Sequence, residues 1–112
     1  MLADLAKIYG IDIDPRVGSI EGAHLFHGDQ GNPDFWDGFL QQVPSIDCFV
    51  DDGSHIMEHQ ILTFMKVWPH IKEGGVYICE DTHTSYWDSH NGELLKPGTF
   101  IEFMKQLIDG LQ

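Results

Sequence analysis

A chain of 112 residues, 42% hydrophobic and 12% aromatic, suits one domain and has enough apolar mass to bury a core, which argues against disorder. Its net charge of −12, from 18 acids against 6 Lys and Arg, repels phosphate backbones and argues against a nucleic-acid partner. No apolar run approaches the roughly 20 residues of a membrane span. The start, MLADLAKIYG, lacks the basic segment and apolar core of a signal peptide, so no membrane association and a cytoplasmic location are expected.

Four runs read as strands: KIYGIDI (7–13), AHLFHGD (23–29), IDCFVDD (46–52) and GVYICED (75–81). They are β-branched, aromatic and poorly alternating, as in strands buried on both faces. The link from 14 to 22 is short for a parallel crossover, which leaves a hairpin as the alternative. NPDFWDGFLQQV reads as a helix with Asn32 as N-cap, Pro33 in its first turn, and Trp36, Phe39, Leu40 and Val43 on one face. SHIMEHQILTFMKVWPHI reads as a second helix. Ser54 is its expected cap, Met57, Ile61, Phe64, Met65 and Trp68 its apolar stripe, and Gly74-Gly75 the turn into the next strand. The last helix is expected from Thr99, with Glu102 completing a capping box and Phe100, Met104, Leu107, Ile108 and Leu111 facing inward. Residues 82–98 form a long polar and aromatic loop, of the kind that carries function. Cys48 and Cys79 lie in apolar runs and read as reduced core thiols.

Strands alternating with helices imply right-handed βαβ units: an α/β fold built on a mainly parallel sheet of about four strands. Every strand ends in acid: Asp12 and Asp14, Asp29, Asp51 and Asp52, Glu80 and Asp81. The carboxyl ends of parallel strands share one edge, where ligands bind. Carboxylates gathered there repel one another unless hydroxyls, amides or a cation answer their charge. Asp52, Glu80 and Asp81 are the metal candidates, an oxygen set suited to Mg²⁺ or Mn²⁺. His55 follows Asp52 closely. Imidazoles titrate near neutrality, and this one is the candidate general base. HIMEH (55–59) also matches the H-x-x-E-H signature, in which His55 and His59 would bind zinc and Glu58 would act as base.

The motifs YGIDIDP, HGDQ, IDCFVDDGSH and PHIKEGGVYICEDTHTSYW, in this order and at this spacing, resemble class I S-adenosylmethionine-dependent methyltransferases. The likeness is to the metal-dependent O-methyltransferases of macrolide sugars, and it runs from about residue 8 to 87. It implies a Rossmann-like fold and methyl transfer to the hydroxyl of a small molecule such as a sugar. By the resemblance, Asp12 holds the cofactor ribose and Asp29 and Gln30 lie near the adenine. Asp52, Glu80 and Asp81 hold the metal, and His55 takes the proton. Thr84, Ser85, Tyr86 and Trp87 wall the substrate side. A further cofactor contact is assigned to Asp51. That family carries a first strand and a G-x-G-x-G loop ahead of this region, and the sequence contains no such loop. Residues 1–112 are therefore expected to be one truncated domain whose strands either close ranks in the order 2-1-3-4 or recruit another chain, which favours a homo-oligomer. The alternative is a non-catalytic module binding metal, a nucleoside-like ligand or a protein.

Overall fold

The computed structural model describes residues 5–111. The β-branched and aromatic runs form β1 (Ile8–Asp12), β2 (Ala23–His27), β3 (Ile46–Asp51) and β4 (Ile71–Cys79). Helix α1 (Pro33–Gln42) precedes β3, α2 (Met57–Val67) precedes β4, and α3 (Phe100–Asp109) follows it. The α/β class stands. Both strand pairings, β1 with β2 and β3 with β4, are parallel. The hairpin alternative therefore does not form: residues 13–22 make a parallel return without a helix. Asp14 organises that short return. Its carbonyl accepts from Val17 N at 3.1 Å and its carboxylate takes the Arg16 guanidinium at 2.7 Å.

Four strands are present, yet they divide into two sheets of two. The direct closure in the order 2-1-3-4 is absent, because β1 and β3 do not pair. Helix α1 spans the gap between them. The Phe39 ring packs edge-on against Phe26 of the first sheet at 4.9 Å, while Trp36 packs on Phe49 of the second at 6.0 Å. A groove of about 1210 Å³ results, with Gly10 and Asp12 on one wall, Cys48 and Val50 on the other, and Trp36 and Phe39 also lining it.

Asn32 caps α1 as expected, its side chain accepting from Asp34 N at 3.0 Å, with Pro33 in the first turn. All four residues of the expected stripe, Trp36, Phe39, Leu40 and Val43, are buried. Helix α2 departs from its reading in two ways. It begins at Met57 without a side-chain cap, since His55 takes left-handed backbone (φ 61°) and no helix can pass through it. Its buried face is Met57, Gln60, Thr63, Phe64 and Val67, whereas Met65 and Trp68 are exposed. Strand β4 starts at Ile71, so Gly74 and Gly75 lie inside the strand and are not a turn before it. Gly75 is required there: a Cβ would stand 2.7 Å from the Asp47 carbonyl on β3. Thr99 caps α3 by accepting from Glu102 N at 3.4 Å. Phe100 is buried and Met104 packs beside it, but Leu107, Ile108 and Leu111 are exposed. The two cysteines are free thiols, as expected, although Cys48 is exposed on its strand.

Helices cover only one face of the β3–β4 sheet. On the other, register sets Cys48 beside Val76 and Val50 beside Ile78, with Val50 49%, Val76 51% and Ile78 43% exposed. No helix among the described residues is long and apolar enough to cross a membrane.

Candidate functional site

The carboxyl ends of β3 and β4 meet because the two strands pair in parallel, with Asp51 opposite Cys79 and Glu80 N donating to Asp51 O at 2.9 Å. The next residues of each chain segment, Asp52 and Asp81, therefore emerge side by side. One donor atom each of Asp52, His55 and Asp81 falls within a sphere in which no pair is more than 4.8 Å apart. His55 Nε2 is 3.3 Å from Asp81 Oδ2 and 3.8 Å from Asp52 Oδ1. The Glu80 carboxyl lies within hydrogen-bonding reach of Asp52, which raises its pKa above the ordinary value; the charges of Asp52 and Asp81 push the same way. Crowded acids that hold on to protons are a natural seat for a cation. The basic side chains nearest Asp52 and Asp81 among the described residues are imidazoles, those of His55 and His83.

Two of the three convergent residues sit in left-handed backbone: His55 at φ 61° and Asp81 at φ 54°. Residues with a Cβ rarely occupy this region, and those that do are held there by their surroundings. Thr84, only 2% exposed, supplies part of that hold. Its hydroxyl lies 2.8 Å from the His55 carbonyl and 3.2 Å from that of Asp81, tying the two strained residues together.

The remaining expected residues are placed as follows. Asp12, Asp29, Gln30 and Asp51 all line the groove between the sheets, together with Asp52. Asp12 and Asp29 each accept from a backbone N–H two residues on, Asp14 N and Gly31 N, both at 2.8 Å. Asp14 turns away to Arg16, whose guanidinium holds its carboxyl below the usual range. Asp51 is 3% exposed; Oδ1 accepts from Gln30 Nε2 at 2.8 Å and Gly53 N at 3.2 Å, while Oδ2 is buried without a partner. Of the segment expected to wall a substrate, Thr84 and Ser85 are buried, and Tyr86 and Trp87 stand half exposed. Trp87 packs edge-on to His83 at 4.6 Å, beside Asp81.

The roles of Thr84 and the Gln30 amide escaped sequence reading. Neither has a local signature, since Thr84 reaches His55 29 positions away and the Gln30 amide reaches Asp51, Ser54 and Thr63 at 21, 24 and 33. The HIMEH zinc arrangement does not form. His55 lies outside the helix, His59 Nδ1 pairs with Ser54 Oγ at 2.8 Å, and Glu58 accepts from Asn91 Nδ2 at 3.0 Å.

Asp51 also supports a pH prediction. Burial is the largest cause raising its pKa, against hydrogen bonds from Gly53 and Gln30 that lower it. A carboxyl whose folded pKa exceeds its unfolded 3.8 lowers stability above the folded value, and the penalty fades as pH falls towards 3.8. Asp51→Asn keeps the Oδ1 acceptor and removes the charge. It should raise stability at pH 7, and chemical denaturation should show this gain vanish below pH 3.8. A gain that persists at low pH refutes the charge explanation.

No protein-family model matches the chain. Among curated proteins it is 34% identical over 110 residues to mycinamicin VI 2''-O-methyltransferase of Micromonospora griseorubida, covering 95% of this chain and 28% of that protein. It is 36% identical over 110 residues to demethylmacrocin O-methyltransferase of Streptomyces fradiae, covering 94% of this chain and 28% of that one. A tetracenomycin-rhamnose 2'-O-methyltransferase of Streptomyces olivaceus is 35% identical over 112 residues, with 93% and 28% covered. The chain thus spans little more than a quarter of the length of these relatives. Among solved structures, the MycE methyltransferase in complex with Mg, SAH and mycinamycin VI superposes with a TM-score of 0.85 at 35% identity, over 95% of this chain and 28% of that one. Across nearly its whole length, in sequence and in backbone, the relatives of this chain are O-methyltransferases of macrolide and related glycoside sugars.

Proposed function

We propose that this chain carries the metal and cofactor half of an S-adenosylmethionine-dependent sugar O-methyltransferase. The observation that carries the reading is the convergence of Asp52, His55 and Asp81 within 4.8 Å at the carboxyl ends of two parallel strands. The relatives support it: MycE was solved with Mg, SAH and mycinamycin VI. The donor set is compatible with the ion, since hard carboxylate oxygens crowded enough to raise Glu80 are what Mg²⁺ or Mn²⁺ accepts. Asp52, Glu80 and Asp81 would hold it. Bound there, the ion supplies orientation and acidification of a substrate hydroxyl. His55 Nε2 faces the same carboxylates and takes the hydroxyl proton. The sugar oxygen forms its bond to the methyl carbon as the carbon–sulfur bond of the sulfonium breaks, leaving S-adenosylhomocysteine and a methyl ether. Asp12, Asp29, Gln30 and Asp51 line the groove on the cofactor side. Tyr86 and Trp87, half exposed beyond Asp81, offer apolar faces to the acceptor.

Titration calorimetry with S-adenosylmethionine, with and without Mg²⁺, tests the reading. Heat that grows when Mg²⁺ is present is expected. No heat at millimolar cofactor sinks the cofactor part of the proposal, and metal binding alone would favour the non-catalytic module.

The same proposal includes self-association. Among the described residues, β1 and β3 each present an unpaired edge to the groove, and the open face of the β3–β4 sheet is apolar. Light scattering should give a mass above 12.7 kDa, and Val50→Lys with Val76→Lys should bring it down to that value. A wild-type monomer at high micromolar concentration refutes it.

A further inference from the structure

One side chain outside the acidic cluster grips the turn that carries it. Gln30 follows β2, and its amide makes three contacts on the far side of the groove. Nε2 donates to Asp51 Oδ1 at 2.8 Å and lies 3.0 Å from Thr63 Oγ1 on α2. Oε1 accepts from Ser54 N at 3.0 Å. These contacts bracket Asp52 and Gly53 and fix the residue before His55. The grip is tight: a Cβ on Gly53 would stand 2.2 Å from Gln30 Oε1, so only glycine lets the turn close on the amide. Gln30 is itself anchored, because its carbonyl accepts from the buried Trp36 Nε1 at 2.9 Å. The turn needs such support. It ends in His55 at φ 61°, a strained conformation that persists only where the surroundings over-determine it. An amide is the group that fits, since it donates to a carboxylate and accepts from a backbone N–H with the same planar head.

We infer that Gln30 is a positioning residue: its amide aims Asp52 and His55 at the metal seat by holding Asp51, Ser54 and Thr63, without touching the metal ligands. The inference rests on the reading that the carboxylate cluster takes a divalent cation. It moves the role of the Gln30 side chain from contact with the cofactor to the geometry of the 51–55 turn.

The test measures Mg²⁺ and Mn²⁺ affinity of the full chain by calorimetry, with cooperative unfolding followed by circular dichroism. Gln30→Met, similar in shape but without the amide, should weaken both ions about tenfold, the low end of what removing a direct partner of a metal ligand does, while still unfolding cooperatively. Gln30→Glu keeps the acceptor for Ser54 N but sets a carboxylate against Asp51. Adding Asp51→Asn then offers an amide N–H to the new carboxylate and should recover about tenfold of the loss, a coupling expected only of residues in contact. Wild-type affinity in Gln30→Met overturns the inference, as does a double variant no better than Gln30→Glu. Should Gln30→Met fail to fold, the Glu and Asn pair decides. Should the wild type bind neither ion, the metal reading fails by itself. Amide exchange at Gly53 and Ser54 then decides the positioning role: faster exchange in the Gln30 variants supports it and unchanged exchange refutes it.

Discussion

Asp52→Ala should abolish measurable Mg²⁺ and Mn²⁺ binding, with affinity falling by about 100-fold or more in calorimetry. Asp52 is the first residue beyond β3, and its neighbour Asp51 is locked by Gln30 and Gly53, so the backbone sets the direction in which the Asp52 side chain leaves the turn. That direction brings it to His55 Nε2 at 3.8 Å and to the carboxyl of Glu80. A small divalent ion keeps its hydration shell unless several anionic oxygens replace part of it. Removing one of three carboxylates takes away a third of the neutralising charge and one corner of the site. The variant also frees Glu80 from its largest upward influence, so that carboxyl should titrate closer to its ordinary value. Asp47→Ala is the control. Asp47 belongs to the same strand but is paired with Lys72 at 3.5 Å, and its loss should leave metal affinity unchanged. Unchanged affinity in Asp52→Ala, or equal loss in both variants, refutes the assignment.

Trp36→Ala should lower stability by about 3–5 kcal/mol, the cost of deleting a large aromatic from a packed interior. Against the roughly 5–15 kcal/mol that holds a domain together, such a loss leaves a substantial unfolded fraction at 37 °C. Trp36 is 2% exposed, and its ring meets Phe35, Phe39 and Phe49 edge-on. It is also the donor to the Gln30 carbonyl. Because the two sheets share no strand pairing, this cluster on α1 is what holds one against the other. The expected signature is specific: thermal unfolding loses cooperativity as well as midpoint, with the β1–β2 unit exchanging its amides before β3–β4. Trp36→Phe keeps most of the ring and should lose about half as much. Cooperative unfolding at the wild-type midpoint in Trp36→Ala would show that the sheets are held together by something else.

Much of this protein was legible in the residues alone, and the reason is locality. Asn32-Pro33 begins α1 and Thr99 caps α3, because capping joins groups two or three positions apart. The runs ending in Asp12, Asp51 and Glu80-Asp81 are strands or end strands, and parallel pairing sends their carboxyl ends to one side. The apolar face of α1 followed from 3.6-residue spacing. The stripe on α2 did not, since Gln60 and Thr63 are buried in place of Met65 and Trp68. Periodicity ranks residues by hydropathy. It cannot know that Thr63 meets Gln30 or that Gln60 reaches the Glu80 carbonyl.

The amino-acid sequence by itself determined the α/β class and the acids at the ends of the strand runs. Each follows from patterns within a few residues of one another. Only the tertiary structure decided that β1 and β3 stand apart across a groove, that His55 and Asp81 adopt left-handed backbone, and that Thr84 and the Gln30 amide hold the turn. Those outcomes depend on contacts between residues 21 to 33 positions apart. Such contacts form when side-chain volumes meet in space, and no local spacing encodes them.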